Sequence, residues 1–215
     1  MARQYLAAGG GAVTVAGSNL TLVVVVAVVA LLALAVAGVL VREVLAADKG
    51  TAKMQEISQA VQEGAAAYLR RQFRTLGLFV VPIFFVLLLL PADSGGVRWG
   101  RSAFFIVGAV FSALVGFTGM SLCVRGNVRV AAAARESGER KAMRIAFRTG
   151  GVAGMFTVGL GLFGAAVVVL IYKANAPDVL EGFGLGAALL DLADEVSADV
   201  GGLGVDTAAD SHEHR

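Results

Sequence analysis

Residues Leu20–Val41 read LTLVVVVAVVALLALAVAGVLV, 22 positions without a single charge. A helix needs about 20 apolar residues to cover the ~30 Å hydrocarbon core of a bilayer, so this stretch is long enough to span. It is also longer than the ~7–15 residues of a signal-peptide apolar region, and no small-residue cleavage site with a polar start follows it. It therefore reads as a retained first helix. Three further charge-free runs follow, Thr75–Ala92, Ser102–Val124 and Thr149–Tyr172, of 18, 23 and 24 residues. Within lipid every backbone N–H and C=O must be paired internally, which leaves helix as the open-chain solution. The expected fold is an all-α membrane protein with four transmembrane helices, over about 20–41, 75–92, 102–124 and 149–172. Pro82 falls mid-run in the second and is expected to kink it.

Composition agrees. The chain has 215 residues, 57% hydrophobic and 16% charged, with a mean hydropathy of +0.78. A soluble domain of this size has too little interior for so much apolar surface. A formal net charge of +2 without clustered basic and aromatic residues argues against a nucleic-acid partner. The lone cysteine, Cys123, excludes an internal disulfide and a thiolate cluster, and its apolar surroundings suggest a buried thiol.

Charges between the runs suggest the topology. Arg42, Lys49, Lys53, Arg70, Arg71 and Arg74 separate the first two, and Arg125, Arg129, Arg135, Arg140, Lys141, Arg144 and Arg148 separate the last two. The opposite side carries Arg3, Arg98, Arg101 and Lys173. The positive-inside bias places loops 42–74 and 125–148 in the cytoplasm and the N-terminal segment 1–19 outside. The expected location is the plasma membrane, as a multi-pass protein, with Trp99 anchoring at the headgroups from a short outer loop.

The first basic loop carries structure of its own. Met54, Ile57, Val61, Ala65, Tyr68 and Leu69 recur at three- and four-residue steps, predicting an amphipathic helix over Lys53–Phe73 that runs directly into the second span with these residues packed inward. In the second loop Ala131–Ala134 and Lys141–Phe147 are helix formers, broken at Ser137–Gly138, and Gly150–Gly151 is expected to loosen entry to the fourth span. Gly108, Ser112, Gly116 and Gly119 on the third span, and Gly154, Gly159, Gly161 and Gly164 on the fourth, suggest close helix packing. The four spans hold no Asp, Glu, Lys, Arg or His, hence no proton relay or ion site.

Beyond Tyr172 a polar link, Lys173–Glu181, leads to nine apolar residues, Gly182–Leu190, too few to span and read as an aborted fifth helix that closes a membrane domain of residues 20–190. Residues 191–215 hold seven acids, with His212 and His214, and read as a solvated or disordered acidic tail. Asp191, Glu195 and Asp199 would share one helical face, a weak candidate cation site.

The basic loops and their flanks resemble a known family. GTAKMQEISQAVQEGAAAYLRRQFRT (Gly50–Thr75), GFTGMSLCVRGNVRVAAAA (Gly116–Ala134), AFRTGGVAGM (Ala146–Met155) and GFGLGA (Gly182–Ala187) are similar, in order, to segments of the membrane-bound ion-translocating inorganic pyrophosphatases. The resemblance implies the outer-ring, N-terminal quarter to third of a pump of about sixteen helices. Such a pump couples hydrolysis of pyrophosphate to outward proton or sodium transport, with Mg²⁺ as cofactor and as a homodimer in the lipid bilayer. In that family a fifth helix with a coupling arginine precedes a stretch of the form GGG-x-x-TK-A-AD-VGAD-LVGK, whose acids hold magnesium and whose lysine holds pyrophosphate. Here only ADVGG (Ala198–Gly202) echoes it. With Asp199 at the first acid, Val196 stands at the lysine and Leu203 at the second acid, and no arginine lies between Ala187 and Asp199. No catalytic, cofactor-binding or metal residue is carried over, so the chain alone is expected to be inactive, with no cofactor of its own. Whether it is an enzyme stays open. The competing reading is a stand-alone, non-enzymatic membrane scaffold or assembly protein; a small cation transporter is disfavoured by the uncharged spans.

Overall fold

The computed structural model describes residues 18–92 and 94–189. The outermost N-terminal residues and the whole acidic tail, with its expected disorder, lie outside them. Four long helices follow one another: α1 (Ser18–Ala46), α2 (Ala52–Leu89), α3 (Gly95–Ser137) and α4 (Glu139–Tyr172). A 3₁₀ turn, Lys173–Asn175, then leads into α5, residues 176–189. No strand occurs among the described residues. All four long helices have the length and apolarity to cross a membrane.

These helices outrun the charge-free cores. With 43 residues, α3 extends roughly 65 Å at ~1.5 Å per residue, about twice the hydrocarbon thickness. The amphipathic segment predicted from Lys53 continues without a break into the second apolar run, and α2 also passes through Pro82. Gly150–Gly151 does not interrupt α4, because the neighbouring turns keep their ladder at about 1 kcal/mol per glycine relative to alanine. The polar link Lys173–Glu181 is likewise helical for most of its length, so the fifth helix starts earlier than its apolar residues suggest.

Local chemistry sets the helix ends. Between α1 and α2, Gly50 takes φ +71° while its N–H donates to Asp48 Oδ1 at 2.7 Å, and Thr51 caps α2 by accepting from the Met54 N–H. Ser94 caps α3 in the same way, accepting from the Val97 N–H. The predicted break at Ser137–Gly138 is present, with Gly138 at φ +82°. That left-handed geometry favours glycine, which has no Cβ to clash.

Packing runs in the order α1, α4, α3, α2. On α1 the buried residues are Ala30, Ala37 and Val44, one per heptad, and α4 answers with Ile145, Val152, Gly159 and Ala166 at the same spacing. A Cβ on Gly159 would lie 2.8 Å from the Leu34 side chain and 3.3 Å from the Ala30 carbonyl. Small residues thus let the two helices close without a hydrophobic drive between them. The tightest seam joins α3 to α5. Added Cβ atoms would lie 2.9 Å from Ala187 N at Gly108, 2.9 Å from Arg101 C at Gly182 and 2.8 Å from Ala109 N at Gly186. Phe183 then fills the space over Gly164 and meets Phe111 edge-on, with ring centroids 6.1 Å apart. Gly108, Gly159 and Gly164 therefore serve close packing as their spacing suggested, whereas Gly154 and Gly161 face open space.

Two burial expectations fail. Of the predicted inward face of α2, Leu69 is buried and Met54 and Ala65 are half-buried, but Ile57, Val61 and Tyr68 are exposed, and Ser58, Gln72 and Leu76 complete the buried face. Cys123 is exposed as well. Cys123 lies in the third apolar run, where a residue gains nothing by turning inward from lipid, so apolar surroundings do not identify the inner face; Ile57 and Val61, outside the apolar runs, line an apolar cavity with Val124 and Val128.

Candidate functional site

The candidate cation ligands Asp191, Glu195 and Asp199, and both histidines, lie outside the described residues. Among the described residues no three Asp, Glu, His or Cys side chains gather as a metal site would require.

What the fold brings together is basic. Two arginines assigned to loops by their charge are helical and buried. Arg101, 7% exposed, sits two turns into α3 and donates through Nη2 to the Leu87 and Leu90 carbonyls at 2.9 and 3.0 Å. These are among the last carbonyls of α2, which lack partners within their own helix. Trp99, on the same turn, is exposed. At the other end of α3, Arg129 is 5% exposed. It donates to Arg125 O through Nη1 and to Leu45 O, at the end of α1, through Nη2. Burial, and secondly the nearby Arg125, lower its pKa from the usual arginine value. Each guanidinium keeps a buried Nε without a partner.

Both arginines close another helix with a charge placed at its negative dipole end. The sequence signal was available but indirect: each apolar run ends without a lysine or arginine in its own last turn, so the closing cation had to come from elsewhere. Beside Arg129, cavities open between the ends of α1, α2 and α3. One of about 500 Å³ is lined by Lys49, Ser58, Gln62, Arg125 and Arg129 among others. Another, of about 290 Å³, is apolar, with Ile57, Val61, Val124 and Val128 in its wall. An exposed ion pair, Arg148 to Glu43 at 2.9 Å, ties α4 to α1 nearby.

Helices of spanning length with apolar outer faces, closed by buried arginines at both ends of α3, define a multi-pass membrane protein. A family profile described as Inorganic H+ pyrophosphatase matches residues 31–210. The chain is 60% identical over 205 residues to the K(+)-insensitive pyrophosphate-energized proton pump of Streptomyces avermitilis, an alignment covering 89% of this chain and 26% of that protein. Proteins of the same name from Chloroflexus aurantiacus and Methanosarcina mazei are each 39% identical, over 86% and 75% of this chain and 26% and 23% of their own lengths. The chain belongs to the inorganic H+ pyrophosphatase family, and it spans about a quarter of the length of the curated relatives it matches.

Proposed function

We propose that this chain forms the N-terminal, outer-ring portion of a membrane pyrophosphatase that couples pyrophosphate hydrolysis to outward transport of protons or sodium, and that it is inactive alone. The supporting observation is the 60% identity over 89% of the chain to a proton pump of which it covers 26%. In this reading the bundle contributes no reacting group. It is a rigid wall of small-residue seams, and its exposed apolar faces, such as Leu78 and Phe85 on α2, meet lipid or the remaining helices. Mg²⁺ and pyrophosphate would be held by the part of the family fold that this chain does not span, in a homodimer of the complete assembly. The basic ends of the helices, residues 42–74 and 125–148, face the cytoplasm of a plasma-membrane protein whose N-terminus lies outside, as the positive-inside bias requires.

The chemistry follows from charge. Hydrolysis of a compact polyanion needs several cations to neutralise it and clustered carboxylates to hold the metal. Among the described residues no carboxylate cluster stands beside the basic helix ends to hold the metal. The test is reconstitution in vesicles with Mg²⁺ and pyrophosphate. The chain alone releases no phosphate above background; co-expressed with the remainder of a relative, it supports phosphate release and pyrophosphate-driven acidification. Robust Mg²⁺-dependent release by the lone chain, abolished by Asp199→Asn, would overturn the reading.

A further inference from the structure

The 500 Å³ cavity between the ends of α1, α2 and α3 has an electrostatic imbalance that the fold does not resolve. Lys49, Arg125 and Arg129 line it, and none of its lining residues is an acid. The two ion pairs among the described residues, Lys53–Glu56 and Arg148–Glu43, involve none of them. Holding like charges in a cleft is costly unless an anion joins them; burial first, and the neighbouring Arg125 second, lower the pKa of Arg129 from its usual value. Arg129 is also fixed in place, tethered through Nη1 and Nη2 to the Arg125 and Leu45 carbonyls, and each of these nitrogens keeps a second N–H to donate. A guanidinium held this way is a preorganised donor for an oxyanion. Ser58, buried on the α2 wall, accepts from Gln62 Nε2 at 3.1 Å, which leaves its own hydroxyl proton to donate.

Depth points to the class of anion. The apolar run of α1 ends at Val41 and that of α3 at Val124, so Leu45, Lys49, Arg125 and Arg129 stand within about two turns of the hydrocarbon boundary. Phosphates of the lipid headgroups lie at that level, and basic pockets between spanning helices bind them. A single carboxylate would bring one charge and two oxygens to three cations. Free phosphate, like a phosphomonoester, brings up to two charges and at least three oxygens; the phosphodiester of a lipid headgroup brings one charge and two oxygens, and it is depth that favours it.

We propose that this cavity binds a phosphate group, carried by an anionic phospholipid or free in solution, with Arg129 as the fixed donor and Lys49 and Arg125 closing over it from the exposed side. The test uses the intact chain, purified in detergent and titrated with phosphatidylglycerol while bound species are counted by native mass spectrometry, with inorganic phosphate as competitor. One phosphatidylglycerol should bind saturably. Lys49→Gln with Arg125→Gln, which leaves the Arg129 tether intact, should weaken binding about tenfold. Arg135→Gln with Arg140→Gln removes the same charge elsewhere and should change it less than about twofold. Circular dichroism checks that each variant keeps its helix content, and Lys49→Gln alone, at an exposed side chain, should weaken binding several-fold if the double variant does not fold. Displacement of the lipid by millimolar phosphate identifies a site satisfied by the free ion; retention against phosphate, with loss in the variant, identifies the lipid headgroup as the source. Equal loss in both double variants, no loss in either, or absence of saturable binding of either probe would overturn the proposal.

Discussion

Replacing Gly186 with valine tests the α3–α5 seam directly. A Cβ there would lie 2.8 Å from Ala109 N and 3.0 Å from Phe105 C, closer still to the Phe105 carbonyl oxygen. These are backbone atoms of a long helix, so they cannot swing aside, and α5 must retreat by roughly 0.5–1 Å. A gap of that size forfeits about a quarter to a half of each contact's attraction. The side chains involved are among the most buried in the molecule: Phe105 at 0%, Val179 at 0%, Leu189 at 2% and Phe183 at 5% exposure. Separated helices in lipid recover most contacts from acyl chains, so only the void and residual overlap count, about 2–4 kcal/mol, at or above the usual range for overpacking. Gly184 on the same helix has nothing within 4 Å of an added Cβ, and Gly184→Ala should be neutral or up to about 1 kcal/mol stabilising. The assay is unfolding in mixed micelles of rising dodecyl sulfate, followed by circular dichroism. Equal midpoints for Gly186→Val and Gly184→Ala would refute the argument.

Two further outcomes follow from the buried faces. Leu69→Ala should destabilise the chain by about 2–3 kcal/mol, the lower part of the range for buried leucine truncations, whereas Ile57→Ala, at an exposed position, should cost less than about 0.5 kcal/mol; the same unfolding titration decides, and the reverse order would restore the face read from periodicity. Arg101→Gln removes the donor to the Leu87 and Leu90 carbonyls, a loss of about 1.5–3 kcal/mol for bonds to a charged group. Faster amide exchange over residues 86–90, with exchange in α1 unchanged, should report it, and unchanged exchange at the end of α2 would show that the cap carries no weight.

The spans were legible because a charge inside hydrocarbon is costly enough that uncharged runs mark them almost without ambiguity. The continuation of α2 through its amphipathic segment and the stop at Ser137–Gly138 were legible for local reasons, helix period in one case and a glycine among helix formers in the other. The facing of the helices was less so. Apolar surroundings find the inner face only where water lies on the outer one, and Cys123 shows this failing in a span, while on α2 the helix period held at Leu69 and missed at Ile57. Size carries much of the information instead: Ala30, Ala37 and Gly159 occupy the α1–α4 seam, with Leu34 laid over Gly159, while Leu31, Leu32 and Val36 point outward. A reading by residue volume at heptad spacing would have found that seam.

The buried arginines were missed for a related reason. Charge counting treats every cation as a loop marker, which serves topology but discards position. Arg101 and Arg129 lie just outside the apolar run of α3, at its two ends, where a long side chain can reach a neighbouring helix terminus without entering the hydrocarbon. Both do so, each toward carbonyls that have no acceptor role left within their own helices. Their shared arrangement gives α3 a structural part beyond that of a spanning rod: it fastens the end of α2 at one boundary and the end of α1 at the other, while its Gly108 meets Gly182 and Gly186 of α5 in a close seam between. Such a helix fixes the relative depth of three neighbours. Were the arginines merely topological markers, lysine would serve equally in either place. Its compact ammonium on a flexible stem lacks the planar, divergent donors that let Arg129 hold two carbonyls on different helices at once.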